Sequence, residues 1–206
     1  MVKLFVKNPE VNNVKIHFKL KDPLKRDFIQ KVSNRENLNL KRHNNYYVLR
    51  SVSNKGPVYS IFLKSGFVNI TGIRGFKYIR SVLDLFNKKF SQNIRIENIK
   101  VDNSSSAGRF YQVGPKSENS EYYINLEDFK LLIDSHPEFH HIRTSLTPGN
   151  FPGAIIRFKN SPTALVFSSG KFTIVGACSL EKILSTFHEI CRCMKTYEKI
   201  VSHRQA

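Results

Sequence analysis

Two asparagines open the same short phrase, Asn13-Val14-Lys15 and Asn98-Ile99-Lys100. A carboxamide and, two residues on, an ammonium share one face of an extended chain, and both are hydrogen-bond donors, so the pattern suits recognition rather than turnover. A turn-capping role for the asparagines is the competing reading. No constellation for catalysis accompanies them: there is no carboxylate pair for acid–base work, no nucleophile beside a base and no phosphate-cradling glycine loop. His140-His141 and His188 are scattered, and Cys178, Cys191 and Cys193 lack a C-x-x-C spacing, so neither a zinc site nor a disulfide framework is signalled. The expectation is a binding protein and not an enzyme, with no cofactor, no metal and reduced thiols.

What it binds is suggested by charge. The 206 residues carry 33 Lys+Arg against 16 Asp+Glu, a formal charge of +17, which favours a polyanion such as nucleic acid or an anionic surface over a neutral partner. Residues 1–100 hold 21 Lys+Arg and 6 Asp+Glu, and residues 101–206 hold 12 and 10, so the first half should supply most of any non-specific phosphate attraction. A merely solvated basic surface is the alternative. The N-terminus lacks the apolar core of a signal peptide, and no run approaches the roughly 20 apolar residues of a membrane span, so no membrane partner is expected.

The positioning elements are clearest between Phe151 and Ala177. Ala154-Ile155-Ile156-Arg157-Phe158, Ala164-Leu165-Val166-Phe167 and Phe172-Thr173-Ile174-Val175 read as three short strands joined by tight turns. By the period of two, Ala154, Ile156, Phe158, Ala164, Val166, Phe172 and Ile174 form a core face. The other face carries Phe151, Gly153, Ile155, Arg157, Thr163, Leu165, Phe167, Lys171, Thr173 and Val175. An apolar face left uncovered and rimmed by positive charge marks an interaction site.

Earlier in the chain the same parts occur in the same order. Residues 14–20 alternate strictly as a strand whose polar face is Asn13, Lys15, His17 and Lys19. Asp22-Pro23 is expected to cap and start a helix running to about Val32. Asn37–Asn45 reads as a polar, basic connection. Strands follow at 46–52, 59–63 and 67–72, with turns at Asn54-Lys55-Gly56-Pro57 and Ser65-Gly66, and a longer helix starts near Gly75. Arg50 pairs with Arg157, Ser65-Gly66 with Ser169-Gly170, Thr71-Gly72 with Val175-Gly176, and helix 75–90 with helix 179–202, which is an internal repeat. One copy is expected over 1–92 and the second over 93–206. The second carries a Ser-, Gly- and Asn-rich insertion at about 103–121, expected as a mobile surface loop. Asn125 should cap a short helix through Leu132.

The segment F-P-G-x-I-x-R, followed by L-V-F-x-S-G-K-x-x-x-x-G-A at the same spacing, resembles the second repeat of the TATA-box-binding protein family. That resemblance covers about residues 11–200, strongly at 151–177 and 58–90 and weakly at 103–145. It implies an α+β fold of two pseudo-symmetric repeats: a curved antiparallel sheet of ten strands, a saddle, with four helices on the convex face. It also implies a transcription initiation factor that binds and bends A·T-rich double-stranded DNA through the minor groove and nucleates a transcription complex. Asn13 and Asn98 match the residues that bond base edges. Thr71 matches a threonine beside one of them, with Val175 in the partner place. Phe151 and Phe167 match a pair of kinking phenylalanines, and Arg50 and Arg157 match phosphate contacts. Lys15, Lys100, Leu63, Leu165, Lys171 and Thr173 complete the implied DNA-binding set.

Departures from the family pattern bear on function. The first copy's kinking positions align with Asn44 and Leu63, next to Tyr46 and Phe62, so its wedge is absent or rebuilt and the stronger kink is expected at the second copy. Lys15 and Lys100 stand where valines are usual. Leu146–Asn150 lacks two glutamates that contact the B-type general transcription factor. A divergent cellular protein of the nucleus, or a viral one acting at the site of viral transcription, fits. Its partners would be a B-type factor or a divergent equivalent and the RNA polymerase machinery, with the chain a monomer on DNA. The rival reading is a module of the same fold that acts through protein contacts or non-specific nucleic-acid binding without strong bending.

Overall fold

The computed structural model describes residues 3–53, 56–90, 96–113, 119–121, 123–159 and 162–204. The turn expected at Asn54-Lys55, the repeat boundary expected at 92/93 and positions 114–118 and 122 lie outside the described residues. The chain divides into two compact units, one of Val11–Ser104 and one of Met1–Glu10 with Ser105–Ala206. Both divisions, after Glu10 and after Ser104, fall inside strands.

The unit Val11–Ser104 is built from β2 (Glu10–Leu20), α1 (Arg26–Arg35), β3 (Leu38–Arg42), β4 (Tyr46–Ser51), β5 (Val58–Phe62), β6 (Phe67–Ile73), α2 (Ile79–Phe90) and the first part of β7 (Ile96–Val113). Its strands run in the order β3-β4-β5-β6-β2-β7, and the pairings β3–β4, β4–β5, β5–β6 and β2–β6 are antiparallel. Strict alternation along β2 puts Val14, Ile16, Phe18 and Leu20 in the core. There they meet Ile29 and Val32 of α1 and Phe86 and Phe90 of α2. The Phe18 and Phe86 rings pack edge to face at 5.3 Å.

The other unit contains β1 (Lys3–Val6), the rest of β7, β8 (Asn119–Glu121), α3 (Leu126–Ser135), β9 (Ile142–Thr147), β10 (Phe151–Phe158), β11 (Thr163–Phe167), β12 (Lys171–Ala177) and α4 (Leu180–Arg204). The order β12-β11-β10-β9 is antiparallel throughout, and β1 and β8 both pair with β7. All seven residues assigned to the core face of β10–β12 are buried. Phe172 is stacked on Phe187 of α4 at 5.8 Å. Asn125 caps α3 as expected, its side-chain oxygen accepting from the Glu127 and Asp128 amides. In each unit, antiparallel strands bury one face under helices, so the α+β class expected from the sequence is the class observed.

Three local expectations are corrected. The segment 103–113 is strand, not a mobile loop, and β8 returns antiparallel beside it. Its small residues are there for packing: Ser104 and Ser106 are fully buried, and a side chain at Gly108 would place a Cβ 2.4 Å from the Phe172 ring. The basic connection 37–45 contains β3, whose Leu38 and Leu40 pack on the core while Asn39 and Lys41 point away. Helix α1 begins at Arg26, one turn after Asp22-Pro23, with no capping side chain at Lys25. Pro23 instead packs beside Gly66 in the β5–β6 turn, and Leu24 turns into the core.

Candidate nucleic-acid interface

The uncovered face of the second repeat is built by cross-strand register. Gly153 lies opposite Phe167, Ile155 opposite Leu165, Arg157 opposite Thr163, Leu165 opposite Thr173, and Thr163 opposite Val175. Ile155, Leu165, Phe167, Thr173 and Val175 are half-buried, and Lys171 and Arg157 at the edges are exposed. Phe151 lies opposite Thr147 of β9, the register shifts in a bulge between Phe151 and Ile155, and the Phe151 ring lies over the missing side chain of Gly153, 5.7 Å from the Phe167 ring. A Cβ at Gly153 would meet both rings, at 3.0 and 3.1 Å. The glycine therefore makes room for the Phe151–Phe167 pair. Arg157 donates to the Ser145 hydroxyl at 3.2 Å, which holds the guanidinium at the rim.

The first repeat shows the same frame with different furniture. β6 and β12 have the same pattern of burial along seven residues, and Gly72 and Gly176 both take positive φ, 82° and 88°. Thr71 and Val175 therefore hold equivalent places, as do Asn69 and Thr173. Pairing carries the equivalence onto the next strand: Val58 faces Thr71 as Thr163 faces Val175, which makes Phe62, and not Leu63, the counterpart of Phe167. Four residues, Leu63–Gly66, link Phe62 to Phe67, where three, Ser168–Gly170, link Phe167 to Lys171. Counting back from Ser-Gly hides this offset. Leu63 packs against the core, and Asn44 sits exposed in the β3–β4 bend. The counterpart of Gly153 is Tyr46, whose ring stacks on Phe62 at 4.9 Å and on His43 at 4.5 Å. Sequence reasoning placed both rings only as neighbours of the aligned positions, and strand pairing is the signal that finds them.

The asparagines and lysines begin each copy. The Asn13 side-chain oxygen accepts the Gly72 amide at 2.9 Å, which fixes the carboxamide and turns its –NH2 outward as a donor. Asn98 takes a positive φ of 54°, a conformation asparagine tolerates better than most residues, and is exposed, as is Lys100. Lys15 and His17 lie on the uncovered side of β2 and both reach Asp102 of β7. Lys15 Nζ is 3.2 Å from one carboxylate oxygen, and His17 Nδ1 bonds the other. His17 also meets the edge of Phe67, a large apolar side chain left 40% exposed. The sequence did not single out Asp102, although its spacing of two from Lys100 puts it on the same strand face. Arg50 is exposed opposite Asn39, and Lys41 lies opposite Val48 on that face.

Cys178, Cys191, Cys193 and the His140, His141 and His188 singled out from the sequence take no part. Cys193 is buried and Cys191 half-buried on α4, and burial pushes their thiols up to about 12 and about 11. Among the described residues no group of three or more His, Cys, Asp or Glu could hold a metal ion, and no helix is long and apolar enough to cross a membrane. Strand faces that are apolar at the rings, polar and donor-rich elsewhere and cationic at the rim are suited to DNA: rings can enter between bases, amides and ammonium groups can meet base-edge acceptors, and arginines can meet phosphates.

Residues 117–197 match the family model described as "Transcription factor TFIID (or TATA-binding protein, TBP)". Among solved structures, the Methanococcus jannaschii TBP aligns with a TM-score of 0.67 at 22% identity, over 92% of this chain and 99% of that one. At that identity the likeness shows the fold. A heterotetrameric sarcosine oxidase from Corynebacterium sp. U-96, in complex with pyrrole 2-carboxylate, aligns with a TM-score of 0.33 at 13% identity, over 95% of this chain and 85% of that one. No curated protein matches by sequence.

Proposed function

We propose that this chain, a member of the TATA-binding protein family, binds A·T-rich duplex DNA through the minor groove with the uncovered strand faces of its two repeats. In this reading it bends the duplex and serves as the platform on which a transcription complex assembles, in a nucleus or at a site of viral transcription. The Phe151–Phe167 pair carries the reading: two rings on neighbouring strands, uncovered by any helix, with Arg157 and Lys171 beside them.

The physical argument has three parts. A minor groove shows acceptors at every pair and adds only the guanine amino group, so an apolar strand face that excludes water prefers A·T pairs. Ring insertion unstacks a base step at a cost of about a few kcal/mol, offset by the contacts a bent duplex makes with more of the protein surface. Lys15, Lys100, Lys171, Arg50 and Arg157 supply counter-charge, and the outward –NH2 of Asn13 meets the acceptors that A·T pairs present. Thr71 and Thr173 add hydroxyls, while Leu165 and Val175 exclude water. Leu63 packs against the core, and in this reading Phe62 beside it takes the groove-facing place.

The test is fluorescence-detected bending of an A·T-rich duplex against a G·C-rich duplex of equal length. Tight, bent binding of the first alone is expected. Equal affinity for both without bending would overturn the reading and favour a module that acts through protein contacts.

A further inference from the structure

Asp102 is out of place on a face of this kind. Against an A·T edge, which offers only acceptors, a carboxylate sets lone pairs against lone pairs. The fold nevertheless holds it there from two sides, by Lys15 and by His17, whose ring is itself packed on Phe67. All four residues lie in the unit Val11–Ser104.

We propose that Asp102, flanked by Lys15 and positioned by His17, reads a base pair carrying a guanine 2-amino group at one step of the bound site. The inference rests on the DNA-binding reading above. A G·C pair presents a central amino donor between two minor-groove acceptors, guanine N3 and cytosine O2. The carboxylate accepts from the amino group. Lys15 Nζ has three N–H groups and spends one on Asp102, so it still has donors for the neighbouring acceptor. His17 is the positioning residue: its Nδ1 bond fixes the plane in which the carboxylate is offered. The site is thus A·T-rich with one tolerated or preferred G·C pair, instead of uniformly A·T.

The experiment uses the full chain and a set of duplexes in which each pair of an A·T-rich site is replaced in turn. The replacements are guanine·cytosine, inosine·cytosine, which lacks the 2-amino group, and 2,6-diaminopurine·thymine, which adds it to an A·T-like pair. At one position the amino-bearing pairs should bind at least as tightly as their amino-free partners, while elsewhere they bind about tenfold or more weaker. Asp102→Val should reverse the preference at that position by about tenfold. Discrimination against the amino group at every position in the natural protein would overturn the inference while leaving minor-groove binding intact. So would equal losses on both pair types in Asp102→Val. Failure to bind any duplex would instead overturn the DNA-binding reading and this inference with it.

Discussion

Tyr46 and Phe62 face one another across β4 and β5 with ring centroids 4.9 Å apart and planes 26° from parallel, in the register place that Gly153 and Phe167 hold in the other repeat. Alignment sets Asn44 and Leu63 at the first copy's kinking positions, with Tyr46 and Phe62 next door and the wedge absent or rebuilt; the pairing puts Phe62, not Leu63, in the place of Phe167, with Tyr46 opposite it. Both repeats place two aromatic rings on the uncovered face, by different means. One removes a side chain at Gly153 so that Phe151 can lie over its neighbour. The other puts the ring directly on the opposite strand.

The first prediction follows. Phe167→Ala and Phe62→Ala should each weaken A·T-rich duplex binding by about 1–3 kcal/mol and reduce the bend, with folding retained because both rings are half-exposed. Leu63→Ala should leave the bend alone and lower stability instead. A Leu63 effect on bending larger than that of Phe62, measured by energy transfer across labelled duplex ends, would return the wedge to the position counted from Ser-Gly.

Salt dependence reports the rim. Each phosphate contact contributes about 0.9 to the slope of log affinity against log salt, so Arg50→Ala and Arg157→Ala should each reduce the slope by about one. Affinity that stays flat between about 50 and 200 mM salt is incompatible with the proposed role.

Asn13 separates structure from recognition. Removing its side chain leaves the Gly72 amide to water at an exposed position, which should cost at most about 1 kcal/mol of stability. Duplex affinity should fall by about 1–3 kcal/mol, because the outward –NH2 is lost with it. A urea midpoint that moves while affinity stays constant identifies a purely capping asparagine.

Gly108→Ala tests the strand that composition disguises. The added Cβ would lie 2.4 Å from a Phe172 ring pinned between Phe110 and Phe187, so overpacking should cost about 1–3 kcal/mol in thermal or urea unfolding. A mobile loop at this position would make the same change neutral.

Thiol chemistry gives a pH prediction. Half-buried Cys191 and buried Cys193 hold their protons up to about 11 and about 12, so only exposed Cys178 should react promptly with a disulfide reagent near pH 8. Raised folded-state values mean that this part of the stability is complete below the ordinary thiol range and is lost as pH climbs from about 9 towards 11–12. Three equally fast thiols in the native protein would contradict the burial of α4.

What could be read from residue order was decided by alternation. β10–β12 declared both faces because bulky apolar side chains sit at every second place, and Asn125 declared its helix because an Asx residue precedes an acidic first turn. β3 escaped notice because Asn39, Lys41 and Arg42 outweigh Leu38 and Leu40 in composition, although the leucines alone set the face. The 103–113 strand was obscured because close packing under Phe172 demands the same small residues that loops prefer. At the interface, Phe62 was displaced by one residue because a turn can lengthen without disturbing the ladder on either side of it. Asp102 escaped because its partners, Lys15 and His17, are more than 80 positions away in the chain.

The pairing of β1 with β7 imposes an order on biosynthesis. Lys3–Val6 is made before its partners, Phe110–Val113, which come more than 100 residues later in the chain. At ribosomal rates of about 5–20 residues per second, the strand waits on the order of ten seconds with no ladder to join, while the whole of Val11–Ser104 is synthesised. Lys3–Val6 can therefore join its ladder only after residues 11–104 have been made, so this strand is fastened later than the ladders within the unit Val11–Ser104 can form.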